Sequence, residues 1–170
     1  MSDDIFNFIY NKALDLLSRR EHSSKEIREK LILRFDDIVI INSVITKLEE
    51  NNLINDTRFA EAYVSSRKRK GFGPKKITFE LLSKGVSESV ANRMIDEEGG
   101  WKRAAKLAFT KKFKNGLSSD VKNSLKQKSF LKNRGFGFKE IESVFGDDML
   151  WFFAMSYEVL ARKYRPADFD

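Results

Sequence analysis

The stretch NNLINDTRFAEAYVSSRKRKGFGPKKI, residues 51–77, decides the fold. Asn55 or Asp56 can cap a helix, because a short polar side chain accepts a hydrogen bond from an unpaired N–H group at the helix start. Apolar residues then follow at the spacing of one helical face: Phe59, Ala60, Tyr63 and Val64. The stretch therefore begins with a turn and continues as an amphipathic helix.

Basic residues dominate the second half of this stretch. Six of the ten residues 67–76 are Lys or Arg, interrupted only by Gly-Phe-Gly-Pro. The glycines predict a break, and Pro74 predicts the start of another helix because its fixed φ suits the first helical position. Lys75 and Lys76 are unfavourable there, since a helix N-terminus carries partial positive charge. The block is either a solvated helix end or a surface that contacts a negatively charged partner.

A weak internal repeat with a spacing of 50 residues runs through the chain, with Leu31, Leu81 and Leu131 at one shared position. The aligned segments are residues 25–35, 75–85 and 125–135, and each leads into another short helical pattern. We therefore predict an all-α fold, an elongated tandem array of three three-helix, helix-turn-helix-like repeats. The predicted repeats are residues 1–55, 56–98 and 99–148, followed by a C-terminal extension, residues 149–170.

Local patterns within the repeats predict helix ends and core positions. Ser23 and Glu26 fit a capping box, in which each side chain binds the backbone N–H of the other residue. Residues 38–41 are β-branched, but helical spacing continues to Leu48, so we predict a helix there. In the third repeat the residues predicted to face the core are Val121, Leu125, Leu131, Phe138, Ile141, Val144 and Phe145.

Composition excludes several classes of protein. The 170 residues include no cysteine, which excludes disulfides and thiolate metal sites. No signal peptide is visible and the longest apolar run, residues 149–155, is too short to span a bilayer, so we expect no membrane contact and a cytoplasmic protein. The single histidine, His22, has no nucleophile or second acid beside it, and we expect it at the surface or in a cap. We predict no catalytic residue, no metal and no cofactor, and therefore no enzyme.

Positive charge is concentrated late in the chain. The net charge is +7, and residues 99–148 carry 12 basic and 5 acidic side chains. Basic residues interleaved with aromatic ones can hold phosphates and stack bases, although a soluble lysine-rich surface is the alternative. The candidate partner-binding residues are Arg67, Lys68, Arg69, Lys70, Phe72, Lys75, Lys76, Lys126, Lys132 and Arg134. A core role suits Phe72 as well as a contact role does, and it suits Phe138 better.

Three motifs resemble those of the RecX family of bacterial recombination regulators: LSRREHSSKEIREKL, NNLINDTRFAEAYVSSRKRKGFGPKKITFELLSKGV and FLKNRGFGFKEIESVF. The resemblance covers residues 14–147, in order. Its fold-motif positions are Leu53, Asp56, Arg58, Phe59, Gly73, Pro74, Ile77, Gly135 and Phe136, with Phe59 expected in the core. The first repeat departs from the pattern, since it lacks the glycine that follows the second helix of the later repeats.

The resemblance implies a curved array that binds the RecA recombinase filament on single-stranded DNA and restrains its ATP hydrolysis, growth and strand exchange. It implies the RecA filament as partner, single-stranded DNA as a direct or indirect contact, and a monomer. A stand-alone DNA-binding protein built from trihelical modules is the alternative, although no helix shows a row of base-reading side chains. A structural adaptor for another repair protein is a third hypothesis.

Residues 155–170, MSYEVLARKYRPADFD, resemble the start of the tau/gamma subunit of the bacterial polymerase III clamp loader. The match begins at an internal methionine, which favours a fused or misassigned reading frame with the regulator ending near Asp148. A native amphipathic tail is the alternative.

Overall fold

The computed structural model describes residues 2–146, and the regular structure in this part of the chain is entirely α-helical. The helices are α1 (Ser2–Leu17), α2 (Ser24–Ile32), α3 (Ile38–Glu50), α4 (Asp56–Arg69), α5 (Pro74–Ser83), α6 (Glu88–Glu98), α7 (Trp101–Lys112), α8 (Val121–Asn133) and α9 (Phe138–Phe145). The predicted all-α class is confirmed. The predicted extension, residues 149–170, and the last residues of the third predicted repeat lie outside the described residues.

Each consecutive set of three helices packs around its own apolar core. We call α1 to α3 the first triplet, α4 to α6 the second and α7 to α9 the third. The helix pairs in closest contact always belong to the same triplet. Leu31, Leu81 and Leu131 are each fully buried, and burying one such side chain contributes about 1.5–3 kcal/mol. Trp101 packs against both the second and the third core. The predicted tandem three-helix repeats are confirmed.

The fold-motif positions contribute mainly to these cores and to the contacts between triplets. Those that are buried are Phe59, Gly73, Ile77, Gly135 and Phe136. Leu53 departs from them with 39% exposure, and the neighbouring Ile54 is buried in the first core instead.

Short polar side chains cap five helices: Ser23, Asp37, Asn55, Ser87 and Asp120 each accept a hydrogen bond from a backbone N–H in the first turn. The capping box predicted at Ser23 forms only in part. The Glu26 carboxylate accepts from Arg20 (3.0 Å) and Lys84 (2.7 Å), because two cationic donors offer stronger hydrogen bonds than one backbone N–H. Burial alone would raise the pKa of Glu26, but these two donors hold it below its ordinary value.

Three apolar side chains predicted for the third core lie at the surface instead. Val121 and Leu125 of α8 and Phe138 of α9 are 42%, 49% and 53% exposed. Phe136 and Phe145 help to fill this core. The prediction was wrong because helical spacing identifies a stripe of apolar residues but not how far the stripe is covered by neighbouring helices.

A buried polar side chain joins the loop between α7 and α8 to α8. Gln127 occupies the repeat position of Ile27 in the first triplet and is buried. Its amide donates to the Gly116 carbonyl oxygen (2.9 Å) and accepts from the Ser118 N–H (3.1 Å). The loop between α7 and α8 is therefore held to α8 by hydrogen bonds, which a buried amide requires, as well as by the contact between the Phe113 and Phe130 rings.

The second helices of the three triplets, α2, α5 and α8, meet end to end. The Gly73 N–H donates to the Arg134 carbonyl oxygen (2.7 Å), and the Lys75 N–H donates to the Gly135 carbonyl oxygen (3.0 Å). The unpaired N–H groups at the start of α5 thus bind carbonyls at the end of α8, where the helix ends carry opposite partial charges. This pairing offsets the cost of placing Lys75 at a helix start.

The contact between α5 and α2 repeats this arrangement with side chains. The Ser23 hydroxyl donates to the Lys84 carbonyl oxygen (2.7 Å), and the Lys25 ammonium donates to the Ser83 carbonyl oxygen (2.9 Å). Carbonyl groups that the end of α5 leaves unpaired are therefore satisfied by the start of α2.

Two fold-motif residues strengthen the contact between the first and second triplets. The Asp56 carboxylate accepts from the Ser24 N–H (2.8 Å), and Arg58 Nε donates to the Glu21 carboxylate (2.5 Å). Burial raises the pKa of Asp56 despite its backbone hydrogen bond. The resemblance motif therefore marks residues that join triplets as well as residues of one core.

Glycine is required where the second helices meet. Gly135 has φ +91°, and a Cβ there would lie 2.4 Å from the Lys76 Cβ; Gly85 has φ +83°, and a Cβ would lie 2.8 Å from the Lys25 Cβ. No glycine follows α2, and Leu33 at that end is 85% exposed. The glycine missing from the first repeat therefore marks the end of the series, where no further helix packs within residues 2–146.

We expect Gly135→Ala to lower the free energy of unfolding by about 2 kcal/mol or more, because it adds both a positive-φ penalty and a clash with α5. Gly116→Ala is the matched control: Gly116 has φ +75° but nothing within 4 Å of its Cβ position, so only the positive-φ cost of about 1–2 kcal/mol applies. Urea denaturation measures both. Equal losses would show that close approach of α5 and α8 adds nothing.

Candidate partner-binding groove

A groove lined by basic side chains lies between the C-terminal end of α4 and α7, at the contact between the second and third triplets. Its volume is about 560 Å³, and a smaller groove of about 230 Å³ shares part of its lining and adds residues at the end of α8. We call the two together the basic groove. Its basic lining residues are Lys68, Arg69, Lys70, Arg103, Lys111, Lys112 and Arg134.

Small residues allow the chain just after α4 to approach α7 closely beside these charges. Gly71 has φ +82°, and a Cβ there would touch the Ala108 Cβ at 3.5 Å. Ala104 and Leu107 line the groove beside Ala108. The basic groove therefore has an aliphatic floor and charged walls.

Some cations of the groove form ion pairs within the protein, and others are free to pair with a partner. Lys68 donates to Glu98 at 2.9 Å and lies over the Trp101 ring at 5.3 Å. Arg69 and Lys70 at the end of α4, and the α7 residues Arg103, Lys111 and Lys112, are exposed and make no ion pair with any residue of 2–146. These five side chains can be neutralised by an anionic partner without breaking an internal contact.

Arg67, a predicted contact residue, is committed inside the second triplet. Its guanidinium donates to both oxygens of Glu80, at 2.7 and 2.5 Å, and its side chain is only 20% exposed. The Tyr63 hydroxyl donates to the same carboxylate at 2.9 Å. Burial, aided by this hydrogen bond to Glu80, raises the pKa of Tyr63 to about 12. Arg67 therefore holds α4 to α5.

Phe72 is half-buried and surrounded by cations. The sequence favoured neither a core role nor a contact role for this residue. It packs against the second core, with the Arg67 guanidinium 3.8 Å from its ring centroid, the Arg134 guanidinium at 4.8 Å and the Lys76 ammonium at 5.0 Å. Each such cation–π contact is worth about 0.5–2 kcal/mol. Since Arg134 belongs to the third triplet, Phe72 joins two triplets.

The other predicted contact residues divide between the groove and the open surface. Arg134 lines the groove and donates to the Lys70 carbonyl oxygen (3.3 Å). Lys75 is exposed at the start of α5, and Lys126 and Lys132 are exposed on α8, but none of the three lines the groove. The structure therefore brings together only part of the predicted set.

Sequence reasoning missed the α7 side of the groove. Arg103, Leu107 and Lys111 recur at intervals of four residues, so they form one stripe along α7. The positive charge of residues 99–148 pointed to this region, and helical spacing would have found the stripe. The predicted contact residues came instead from residues 67–76 and from Lys126, Lys132 and Arg134.

His22 was predicted to lie at the surface or in a cap, and the structure buries it. The residue is 2% exposed, its Nδ1 lies 3.0 Å from the Arg20 carbonyl oxygen, and its Nε2 has no partner among the described residues. No group of three or more His, Asp or Glu side chains within residues 2–146 could hold a metal ion. His22 therefore belongs to the packing of the turn between α1 and α2.

Burial lowers the pKa of His22, which predicts an acid-sensitive fold. The unfolded chain binds a proton on this residue near pH 6.5, whereas the folded protein resists it, so stability falls as pH drops below about 6.5. We expect the melting temperature of wild type to fall more steeply from about pH 7.5 to about pH 5.5 than that of His22→Gln. Parallel curves would contradict this assignment.

The fold and the groove define a class: an all-α protein of tandem three-helix repeats with a cationic, partly apolar groove. Residues 10–48 match the family described as RecX, first three-helix domain, and residues 55–95 match RecX, second three-helix domain. The chain belongs to the RecX family.

No helix in the described range 2–146 is long and apolar enough to cross a bilayer.

Similar proteins support this assignment over most of the chain. The regulatory protein RecX of Halorhodospira halophila is 35% identical over 136 residues, which cover 79% of this chain and 84% of that protein. RecX of Vibrio parahaemolyticus is 38% identical over 130 residues, covering 76% and 84%. The crystal structure of RecX from Lactobacillus salivarius superposes with a TM-score of 0.69 at 26% identity, covering 88% of this chain and 99% of that one. The chain is thus a regulatory protein and not an enzyme.

Proposed function

We propose that this protein is a negative modulator of the RecA recombinase that binds the RecA filament on single-stranded DNA. In this role it restrains ATP hydrolysis, filament growth and strand exchange, acting as a cytoplasmic monomer. Family membership supports the regulatory role. The observation that carries the binding role is the basic groove, with five exposed cations that no described acidic residue neutralises.

The end-to-end series of triplets suits a repetitive partner. Each triplet has its own core, and the Gly73–Arg134 and Lys75–Gly135 hydrogen bonds hold the second and third triplets in one arrangement. A helical array presents a long surface from few residues per unit. Such a surface can contact successive RecA protomers at once, which would hinder their relative movement and so slow hydrolysis.

Stand-alone DNA binding is the second candidate, and exposed lysines of α8 favour it. Lys126 and Lys132 lie on that helix outside the groove and can approach phosphates. Contacts of lysine with phosphate oxygens carry no information about base sequence. This surface therefore supports sequence-independent contact with DNA, which is also compatible with binding DNA inside a filament.

RecA-dependent ATP hydrolysis on single-stranded DNA tests the proposed function. We expect the hydrolysis rate to fall as this protein is added, up to or below equimolar amounts, while the protein alone hydrolyses no ATP. Unchanged RecA turnover at saturating protein would contradict the proposal. Binding to DNA without any effect on RecA would favour the second candidate.

Charge reversal in the basic groove tests which cations contact the filament. We expect Arg69→Glu combined with Arg103→Glu to weaken filament binding far more at low salt than at high salt, because each lost phosphate or carboxylate contact reduces the salt dependence. Arg67 is left out, since a glutamate there would face Glu80.

The matched control is Lys102→Glu combined with Lys106→Glu. Both lysines are exposed on α7 and lie outside the groove lining, so the net charge changes equally. Equal weakening by both pairs would show that overall charge, and not the groove, attracts the filament. Melting temperatures of all variants should stay close to that of wild type because the residues are exposed.

A further inference from the structure

The floor of the basic groove exposes an aliphatic side chain where a purely phosphate-binding surface would need none. Leu107 is 61% exposed and lies between Ala104 and Ala108 in the lining. Concave surfaces that combine apolar floors with polar rims mark sites where proteins bind partners. The shape and composition of the floor therefore suit an inserted apolar side chain.

The charges are arranged around this floor at helical intervals. On α7, Arg103 and Lys111 lie four residues before and four residues after Leu107, or about 6 Å along the axis in each direction. Arg69 and Lys70 face them from the end of α4. An apolar contact flanked on both sides by cations matches a helix that carries one apolar stripe between acidic residues.

Nucleic acid fits the same place less well. Single strands are held by a basic surface together with aromatic side chains on which bases stack. Between α4 and α7 the described lining contains no aromatic side chain, and Phe130 is found only in the continuation near α8. A base placed over Leu107 would cover the floor but would find no ring to stack on.

We propose that the basic groove binds an acidic amphipathic helix of a protein partner. An aliphatic side chain of that helix packs on Leu107, and its carboxylates pair with Arg69, Lys70, Arg103 and Lys111. This inference rests on the proposed function for the identity of the partner. It assigns the groove to contact with the protein component of the filament. Any contact with DNA is then made by the exposed lysines of α8.

Direct binding to the full chain tests the occupant with three fluorescent probes. The first is a short helical peptide of Glu and Leu with the leucines on one face, the second has Ser in place of every Leu, and the third is oligothymidine. We expect the Glu–Leu peptide to bind at least about tenfold more tightly than the Glu–Ser peptide, because one buried leucine supplies that difference. Equal binding of the two peptides, or no binding of either, would overturn the inference.

Two pairs of variants locate the binding. Leu107→Ala should weaken binding of the Glu–Leu peptide about fivefold and leave binding of oligothymidine unchanged. Leu125→Ala alters an exposed leucine of α8 outside the groove and should change the binding of neither probe. Arg103→Glu with Lys111→Glu should weaken both peptides more than Lys102→Glu with Lys106→Glu. Loss of oligothymidine binding in the groove variant with no effect of Leu107→Ala would make the groove a nucleic-acid site and refute the inference.

The RecA assay separates this inference from the proposed function. Inhibition of RecA by a protein that does not bind the Glu–Leu peptide would refute the acidic-helix inference alone. Peptide binding in the groove without any inhibition of RecA would refute the proposed function alone. Where both hold, the Glu–Leu peptide should relieve the inhibition and the Glu–Ser peptide should not.

Discussion

Two backbone hydrogen bonds between the end of α8 and the start of α5 hold the second and third triplets together. They form only because Gly73 and Gly135 let the two backbones approach, since a Cβ on either would lie within about 2.5 Å of the opposing chain. The same contact brings Arg134 onto Phe72 and accompanies the close approach of Gly71 to Ala108. Together with Trp101, which packs against both cores, this contact fixes the separation of the two walls of the basic groove, which come from different triplets.

Partly buried carboxylates decide which cations remain available. Glu80 forms a salt bridge with Arg67, and Glu98 forms one with Lys68. Glu26 forms salt bridges with both Arg20 and Lys84. Removing one partner of such a pair leaves a desolvated charge, so these cations are poor candidates for a second role. The cations that face outward, at the end of α4 and along α7, are therefore the ones that a partner can neutralise at little cost to the fold.

The architecture suits a regulator that acts by contact. Separate cores let each triplet fold around its own apolar residues, while helix ends join the triplets through hydrogen bonds that a helix must satisfy in any case. If the proposed function holds, inhibition of RecA needs no catalytic group, because a surface that spans neighbouring RecA protomers can resist their movement. An aliphatic contact on Leu107 would add specificity for protein, since charge alone attracts any polyanion.

The sequence by itself determined the class of fold, the helix cap at Ser23 and the shared position of Leu31, and it limited the cap of α4 to Asn55 or Asp56, because these depend on spacing and on local hydrogen bonding. The predicted repeat boundaries and the nature of residues 149–170 stay predictions. Only the tertiary structure decided that Arg67 is paired and Phe72 enclosed, that His22 is buried and Phe138 exposed, and that α7 supplies half of the groove. The physical reason is that availability depends on neighbours distant in sequence: Glu80 lies 13 residues from Arg67, and Arg134 lies 64 from Lys70. A charge pattern shows where cations are, but the fold decides which of them already have a partner.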